Sequence, residues 1–365
     1  MSAGDLLYSD TEEALRDSVR HLFADRCPPE SVAKAYEQPP QDFSDLWRTL
    51  AAELGVAGLL VPESLGGAGA GAREAAVVME EIGRAVAPVP YLSSAVLATV
   101  ALLEAGETEI LPELARGSLT AALAVPLSAA PWEPIGGVSA GADGVSGSVS
   151  SVAGADAAEV LVVPVAGPDG LELHTVSCSA AGVEVSPVLA LDMTRPLADV
   201  RFSGAQSTRV GAADGSIAAA LQAGVTLLAS EQLGLAHWCF DTTLDYAKQR
   251  KQFGRAIGSY QAIKHRLADL WFEVGAATAA ARYAADTRAR GDDDADVAAS
   301  IAQAYCSGVA VNAAEECVQL HGGIGMTWEY PAHLYLKRAK SDQLALGTPY
   351  RHRARVAQSV NLPVS

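Results

Sequence analysis

The 365-residue chain predicts an α+β protein with three parts: an all-helical N-terminal domain, a middle antiparallel β barrel or sandwich, and a C-terminal four-helix bundle. Three observations carry the prediction. Apolar residues recur at helical spacing up to about residue 117; short β-rich runs broken by Gly, Pro, Asp and Ser fill 119–202; Ala-rich helical periodicity returns after Ser216. The boundaries fall at 1–117, 118–205 and 214–365. With 50% hydrophobic residues, a chain of this length can bury a large core and exceeds one typical domain.

Taking the elements in order, Ser9-Asp-Thr-Glu12 has the form of a capping box, and Leu15, Val19, Leu22 and Phe23 follow on one helical face, so a helix begins near residue 10. Trp47, Leu50 and Leu54 repeat the pattern, and Ala75, Met79 and Ile82 mark a third helical stretch. Between them, the glycines at 66–71 read as a turn, because a phosphate-binding fingerprint needs a buried strand before it and only Leu59-Leu60-Val61-Pro62 precedes. Strands are expected at 145–152, 159–165, 171–177, 183–191 and 198–202, with 204–216 as a linker. Ser216 is the expected N-cap of a helix running to Arg250. Further helices are expected from about Ser259 to Arg290, from beyond Asp294 to Leu320, and from Pro331 onward.

Composition narrows the function. A net charge of -17 opposes nucleic acid and anionic membrane surfaces, so neither is an expected partner. The acidic first twenty residues lack the apolar run of a secretory signal, and no stretch reads as a membrane span. Five scattered cysteines without Cys-x-x-Cys or His/Cys ligand spacing point to reduced thiols, no metal site and a cytoplasmic setting. Against this acidic background, twelve of the 26 basic residues gather in two clusters, Lys248 to Arg266 and Lys337 to Arg355. An anionic ligand would have to be met there.

Both clusters lie beside bends between expected helices. At the first, Arg250 offers a planar fork of donors for phosphate, Phe253 a ring face, and the following helix start unpaired N–H groups. At the second, Gly322 and Gly323 let a ligand approach the backbone, and Gln319 and His321 could donate to phosphate or ribose oxygens. Taken alone, the first bend is equally an ordinary inter-helix turn, and at the second a Gly-Gly pair is more often a helix stop and His321 more often a capping or packing residue. The remaining histidines have no ligand spacing, and no Gly-x-Ser-x-Gly elbow supports a hydrolase.

The runs Tyr246-Ala-Lys-Gln-Arg-Lys-Gln-Phe-Gly-Arg-Ala-Ile-Gly-Ser-Tyr-Gln-Ala-Ile-Lys and Gln319-Leu-His-Gly-Gly-Ile-Gly-Met-Thr-Trp-Glu-Tyr-Pro closely resemble the acyl-CoA dehydrogenase family. Gly55 to Gly69, Glu80-Glu-Ile-Gly-Arg-Ala and Asp192-Met-Thr-Arg195 extend the likeness over the whole chain. The resemblance implies FAD, acyl-CoA as substrate, and electron-transfer flavoprotein as acceptor. It also implies that Arg250, Gln252, Phe253, Ile257 and Gln261, with Gln319, His321, Gly322 and Gly323, complete the ADP half of a neighbouring subunit's flavin. The family reaction removes an α-proton with a glutamate while the β-hydride goes to the flavin, giving the 2-enoyl-CoA.

Here the chain departs from its relatives. The usual glutamate precedes Gly-Thr, where this chain has Leu346, and the alternative base position falls on Gly224. The β-domain run that touches the chain's own flavin ring is replaced by Val125-Pro-Leu-Ser-Ala-Ala-Pro-Trp-Glu-Pro134. The expectation is therefore no catalytic residue in this chain: it resembles the base-lacking subunit of actinobacterial heterotetrameric acyl-CoA dehydrogenases, some of which act in steroid side-chain degradation. Two alternatives stand: a self-sufficient homo-oligomer with a relocated base, for which Glu231 is the candidate, or a non-catalytic CoA- or flavin-binding scaffold.

Overall fold

A computed structural model describes residues 6–37, 41–167 and 170–362. Helix α1 (Asp10–Arg26) starts as its capping box requires: the Glu12 N–H donates to Ser9 Oγ and the Ser9 N–H donates to the Glu12 carboxylate. Short helices α2 (Pro29–Ala33) and α3 (Ser44–Arg48) follow, the latter widening into a π turn at Thr49–Glu53. Then come α4 (Ala72–Ala85), a second π-helical segment at Tyr91–Ala98 running into α5 (Thr99–Glu104), and α6 (Leu111–Ala115).

The middle of the chain is an eight-stranded sheet: β1 (Ala121–Leu123), β2 (Val138–Gly141), β3 (Gly144–Ala153), β4 (Val160–Gly167), β5 (Gly170–Ser177), β6 (Val183–Val188), β7 (Leu197–Ala205) and β8 (Thr208–Ala212). The order is β6-β7-β3-β2-β4-β5-β8, with β1 beside β4. All five expected strands are present. The sheet is mixed rather than purely antiparallel, because β1 and β2 both run parallel to β4. Residues 204–216 are not a plain linker: β7 extends to Ala205, and β8 pairs with β5 through Glu172 and Ala212. β8 is a half-exposed edge strand, so it lacks the apolar alternation that marks an inner strand.

The C-terminal part contains α7 (Asp214–Gln249), α8 (Gln261–Arg290), α9 (Ala295–His321), α10 (Ala332–Leu344) and a fifth helix, α11 (Pro349–Ser359), which the expected four did not include. Ser216 does not cap α7. The helix begins at Asp214, and the Ser216 hydroxyl donates back to the Ala212 and Ala213 carbonyls. Helix α9 is long and apolar enough to cross a membrane, yet 72% of its most apolar window is buried in the protein. It is the central helix of the bundle.

One apolar core runs from α1 through α4, the π segment and α5 into α7, α8, α9 and α10. The seam between N-terminal part and bundle is a backbone-to-backbone crossing of α4 and α7. A Cβ on Gly83 would lie 1.9 Å from the Glu231 carbonyl oxygen, and one on Gly234 would lie 1.7 Å from that of Glu80. Only glycine permits so close a crossing. It fixes α7, and with it Gly224 and Glu231, against the N-terminal helices.

Candidate cofactor bends and a closed interior site

At the first bend, α7 stops at Gln249 and the Arg250 N–H caps it on the Tyr246 carbonyl, 2.8 Å away. A two-residue hairpin follows, β9 (Lys251–Gln252) against β10 (Arg255–Ala256). Its tip residues Phe253 and Gly254 both have positive φ, 52° and 79°, as a type I′ turn requires. Glycine adopts this freely, whereas an aromatic residue there is strained, and the ring of Phe253 is 92% exposed. Arg250 and Gln252 are also exposed, Ile257 is half-buried, and Gln261 is the exposed first residue of α8. Tyr260, the N-cap of α8, gives the helix no side-chain hydrogen bond. Its first N–H groups therefore remain available to an anion.

At the second bend, α9 ends on His321, and Gly322 turns the chain at φ 65° and ψ -138°. A Cβ built on Gly322 or Gly323 meets nothing within 4 Å, so the backbone there faces open space. Gln319 is exposed. His321 is different: it is 3% exposed, and both ring nitrogens have internal partners. Nδ1 lies 2.6 Å from the Cys317 carbonyl and Nε2 lies 2.6 Å from the Tyr330 hydroxyl. Its imidazole is therefore engaged in holding the bend, and the exposed donors here are the backbone and Gln319.

The fold brings these two bends together. Tyr246, one turn before Arg250, stacks on His321 with ring centroids 4.2 Å apart. Beneath them Ala247, Leu267 and Leu320 form a small apolar cluster joined by Ile257 and Ile263, separate from the main core. Both cysteine thiols nearby are buried. The Cys317 thiol is pulled down to about 5, first by the hydrogen bond from Cys239 and then by those from His321 and Thr243, while burial pushes Cys239 up.

The interior position is closed. Leu346 is fully buried at a left-handed φ of 54°, and its Cδ1 would lie 2.8 Å from a Cβ on Gly224, with Leu97 on the other side at 2.6 Å. Thus the two positions at which the sequence resemblance would place a base pack against each other. The Leu346 N–H donates to the Leu127 carbonyl at 2.7 Å, and the Leu346 carbonyl accepts from His352 Nε2 at 3.0 Å. Burial presses the His352 pKa down to about 4. Trp132 sits edge-on to His352, Ala130 touches Gly347, and Glu133 pairs with Arg351. The run 125–134 therefore covers the turn at Leu346.

Glu231 is committed elsewhere. Its carboxylate is buried between Arg195, with Nη2 2.5 Å from Oε2, and Arg338, with Nη1 2.5 Å from Oε1. Arg195 also reaches Asp342 at 2.5 Å, and Arg338 reaches Asp192 at 2.7 Å and the Thr194 carbonyl at 2.9 Å. Two guanidiniums thus face three buried carboxylates. Burial, followed by the charge of Glu231, raises the Asp342 pKa to about 7. Arg338 belongs to the second basic cluster in sequence, but at 1% exposure it meets no ligand from solvent. Lys340 and Arg351 are paired with Glu315 and Glu133, and Arg266 with Glu316, so charge runs in the sequence overstate the open positive surface.

Sequence reading gave no role to Tyr246, Tyr330 or Asp192 to Arg195, although all lie within runs noted for their likeness, and it missed the partners of each buried charge, because pairing between distant segments leaves no spacing signal.

Comparison with known proteins agrees with this architecture. The profile described as acyl-CoA dehydrogenase, N-terminal domain, matches residues 9–118, and that of the C-terminal domain matches 215–361. Acyl-CoA dehydrogenase IpdE2 of Mycolicibacterium smegmatis is 35% identical over 353 residues, covering 96% of this chain and 99% of the relative. IpdE2 of Mycobacterium tuberculosis is 35% identical over 342 residues, covering 93% and 94%. Among solved structures, a variant of the Tcur3481-Tcur3483 steroid ACAD superimposes with a TM-score of 0.85 at 29% identity, over 96% of this chain and 98% of that one. The ChsE4-ChsE5 complex of Mycobacterium tuberculosis gives 0.87 at 26%, over 99% and 100%. This chain belongs to the acyl-CoA dehydrogenase family, oxidoreductases acting on acyl-CoA thioesters.

Proposed function

We propose that this chain is the base-lacking subunit of a heterotetrameric acyl-CoA dehydrogenase whose partner supplies the catalytic glutamate. The observation that carries the reading is the packing of Leu346 on Gly224 and Leu97: both places for a base hold apolar groups in contact with each other, with no carboxylate between them. A leucine accepts no proton, and the α-proton of a thioester does not leave without a base. Glu231 does not fill the role, because its buried carboxylate is paired with two guanidiniums, Arg195 and Arg338.

The two bends suit the ADP half of an FAD bound mainly by the partner. Arg250 and Gln252 would hold phosphate oxygens, the uncapped start of α8 at Gln261 would add N–H donors, and Gly322 and Gly323 would admit the cofactor to the backbone, with Gln319 beside them. The strained, exposed ring of Phe253 fits a residue shaped to meet another molecule. Ile257 would pack beneath, and His321 would contribute by fixing the bend. Bound FAD supplies the acceptor for the β-hydride. This chain's residues bind and orient it, while Leu127, Ala130 and Leu346 keep its own interior closed.

Two further parts of the reading follow the relatives. The match to a steroid ACAD and to a two-component complex supports a bulky polycyclic acyl-CoA as substrate, as in steroid side-chain degradation, and electron-transfer flavoprotein fits as acceptor. Purification of the chain alone tests the central claim: little FAD and no dehydrogenation are expected, with both appearing on co-expression with a glutamate-bearing partner. A stable homo-oligomer with stoichiometric FAD and turnover on acyl-CoA would overturn it in favour of a self-sufficient enzyme. If the partner binds FAD and turns over equally well without this chain, the scaffold reading gains instead.

A further inference from the structure

We propose that Tyr246, His321 and Tyr330 form an aromatic clamp that sets the two cofactor bends in register, with Tyr330 as a positioning residue for flavin binding. The proposal rests on the reading that these bends hold FAD, and adds residues that the motifs themselves do not assign.

The hydrogen bonds define the state of the central ring. The Cys317 carbonyl can only accept, so at 2.6 Å it requires the proton on Nδ1 of His321. In the neutral ring this leaves Nε2 as an acceptor, and the Tyr330 hydroxyl donates to it at 2.6 Å. The ring is also held face to face: Tyr246 lies 4.2 Å away at 30°, and Tyr330 lies 4.4 Å away at 35°. Tyr246 further directs its hydroxyl to the His321 carbonyl at 3.4 Å.

Each member belongs to a different segment. The Tyr246 carbonyl caps α7 through the Arg250 N–H, His321 immediately precedes Gly322, and Tyr330 lies in the connection between the Gly322–Met326 turn and α10. Besides the stack, the segments carrying Arg250 and Gly322 are joined here by the small cluster of Ala247, Leu267 and Leu320 and by the contacts of Cys239 and Thr243 with Cys317. Gly322, with φ 65° and no side chain, has little resistance of its own to rotation. The clamp therefore supplies order that the glycines lack, and does so before the cofactor arrives, which lowers the ordering cost of binding.

The test compares the full chain, alone and co-purified with its glutamate-bearing partner, with Tyr330→Phe and Tyr246→Leu. Imidazole nitrogen NMR on the chain alone, with His321 assigned by its loss in His321→Asn, should show the Nδ1–H tautomer, and Tyr330→Phe should keep that tautomer while moving the Nε2 resonance as its accepted hydrogen bond is lost. In the complex, Tyr330→Phe should weaken FAD binding about fivefold to tenfold, and Tyr246→Leu at least as much, while the melting temperature of Tyr330→Phe stays within about 2 °C. An unmoved Nε2 resonance in Tyr330→Phe overturns the hydrogen-bond assignment. A moved Nε2 resonance with unchanged FAD affinity overturns the positioning role. If the unmodified complex binds no FAD, the functional reading fails and takes the cofactor role with it, while the NMR result still decides whether the clamp exists.

Discussion

The outward bends and the interior at Leu346 solve opposite problems with similar means. At Gly322 a left-handed residue opens the backbone to space that no side chain occupies, whereas at Leu346 a left-handed residue of full size is buried with its N–H and carbonyl both bonded. Strain at Phe253 presents a ring to solvent, and strain at Leu346 seats one apolar group on another. The difference teaches that positive φ in a bulky residue does not by itself mark a working site. What surrounds the residue decides whether the strain serves binding or closure.

The strongest way to break this contrast is through the charges that support the closed interior. Arg338→Leu leaves Glu231 and Asp192 without one of their cations and should cost about 3–5 kcal/mol in denaturant unfolding. A loss under about 1 kcal/mol would mean the network is not structural. Next, Leu346→Glu places a carboxylate in a fully buried position beside Leu97 and Gly224, and should destabilise by roughly 3 kcal/mol without conferring turnover on the chain alone. Turnover in that variant would show that the interior is only missing its base, not closed.

Smaller effects sharpen the outward side. Gly322→Ala imposes a side chain at φ 65° and should cost about 1–2 kcal/mol, with loss of flavin from the complex. Arg250→Ala should change stability by no more than about 0.5 kcal/mol and still weaken FAD binding about tenfold. Equal effects on stability and flavin retention would erase the distinction between the regions.

A subtler comparison uses pH. Asp342, raised to about 7, gives stability that is full below its unfolded value of about 4 and is lost as pH rises through about 7. His352, lowered to about 4, gives stability that is full above its unfolded value of about 6.5 and is lost as pH falls through about 4. Their slopes oppose each other between about pH 4 and 6.5. Asp342→Asn should make stability rise more steeply with pH in that window, and His352→Gln should make it rise less, as followed by urea unfolding at four or five pH values.

Much of this was legible in the sequence because the signals were local. The capping box at Ser9 and Glu12 lies within four residues, and the hairpin and glycine bends carry their own chemistry at 250–254 and 319–325. The β8 edge was illegible because a strand paired on one side needs little apolar alternation. The role of Glu231 was open for another reason: nothing near it in sequence announces Arg195 and Arg338 as its partners. His321 shows the limit even inside a recognisable motif, since its environment depends on Tyr330, nine positions onward around a turn.

The buried cluster of Arg195, Glu231, Arg338 and Asp342, with Asp192, has a consequence for synthesis. The acids at 192 and 231 leave the ribosome 146 and 107 residues before Arg338. Until that guanidinium emerges, Glu231 has Arg195 alone and Asp192 lacks its cation from the cluster, and the sheet, α4 and α7 cannot settle at the cost of burying unmatched charge. The polypeptide is therefore expected to commit to its native arrangement late, when α10 is translated. A nascent chain stalled before residue 338 should be digested readily in the segment around α7, and one stalled far enough beyond 342 for α10 to emerge should not.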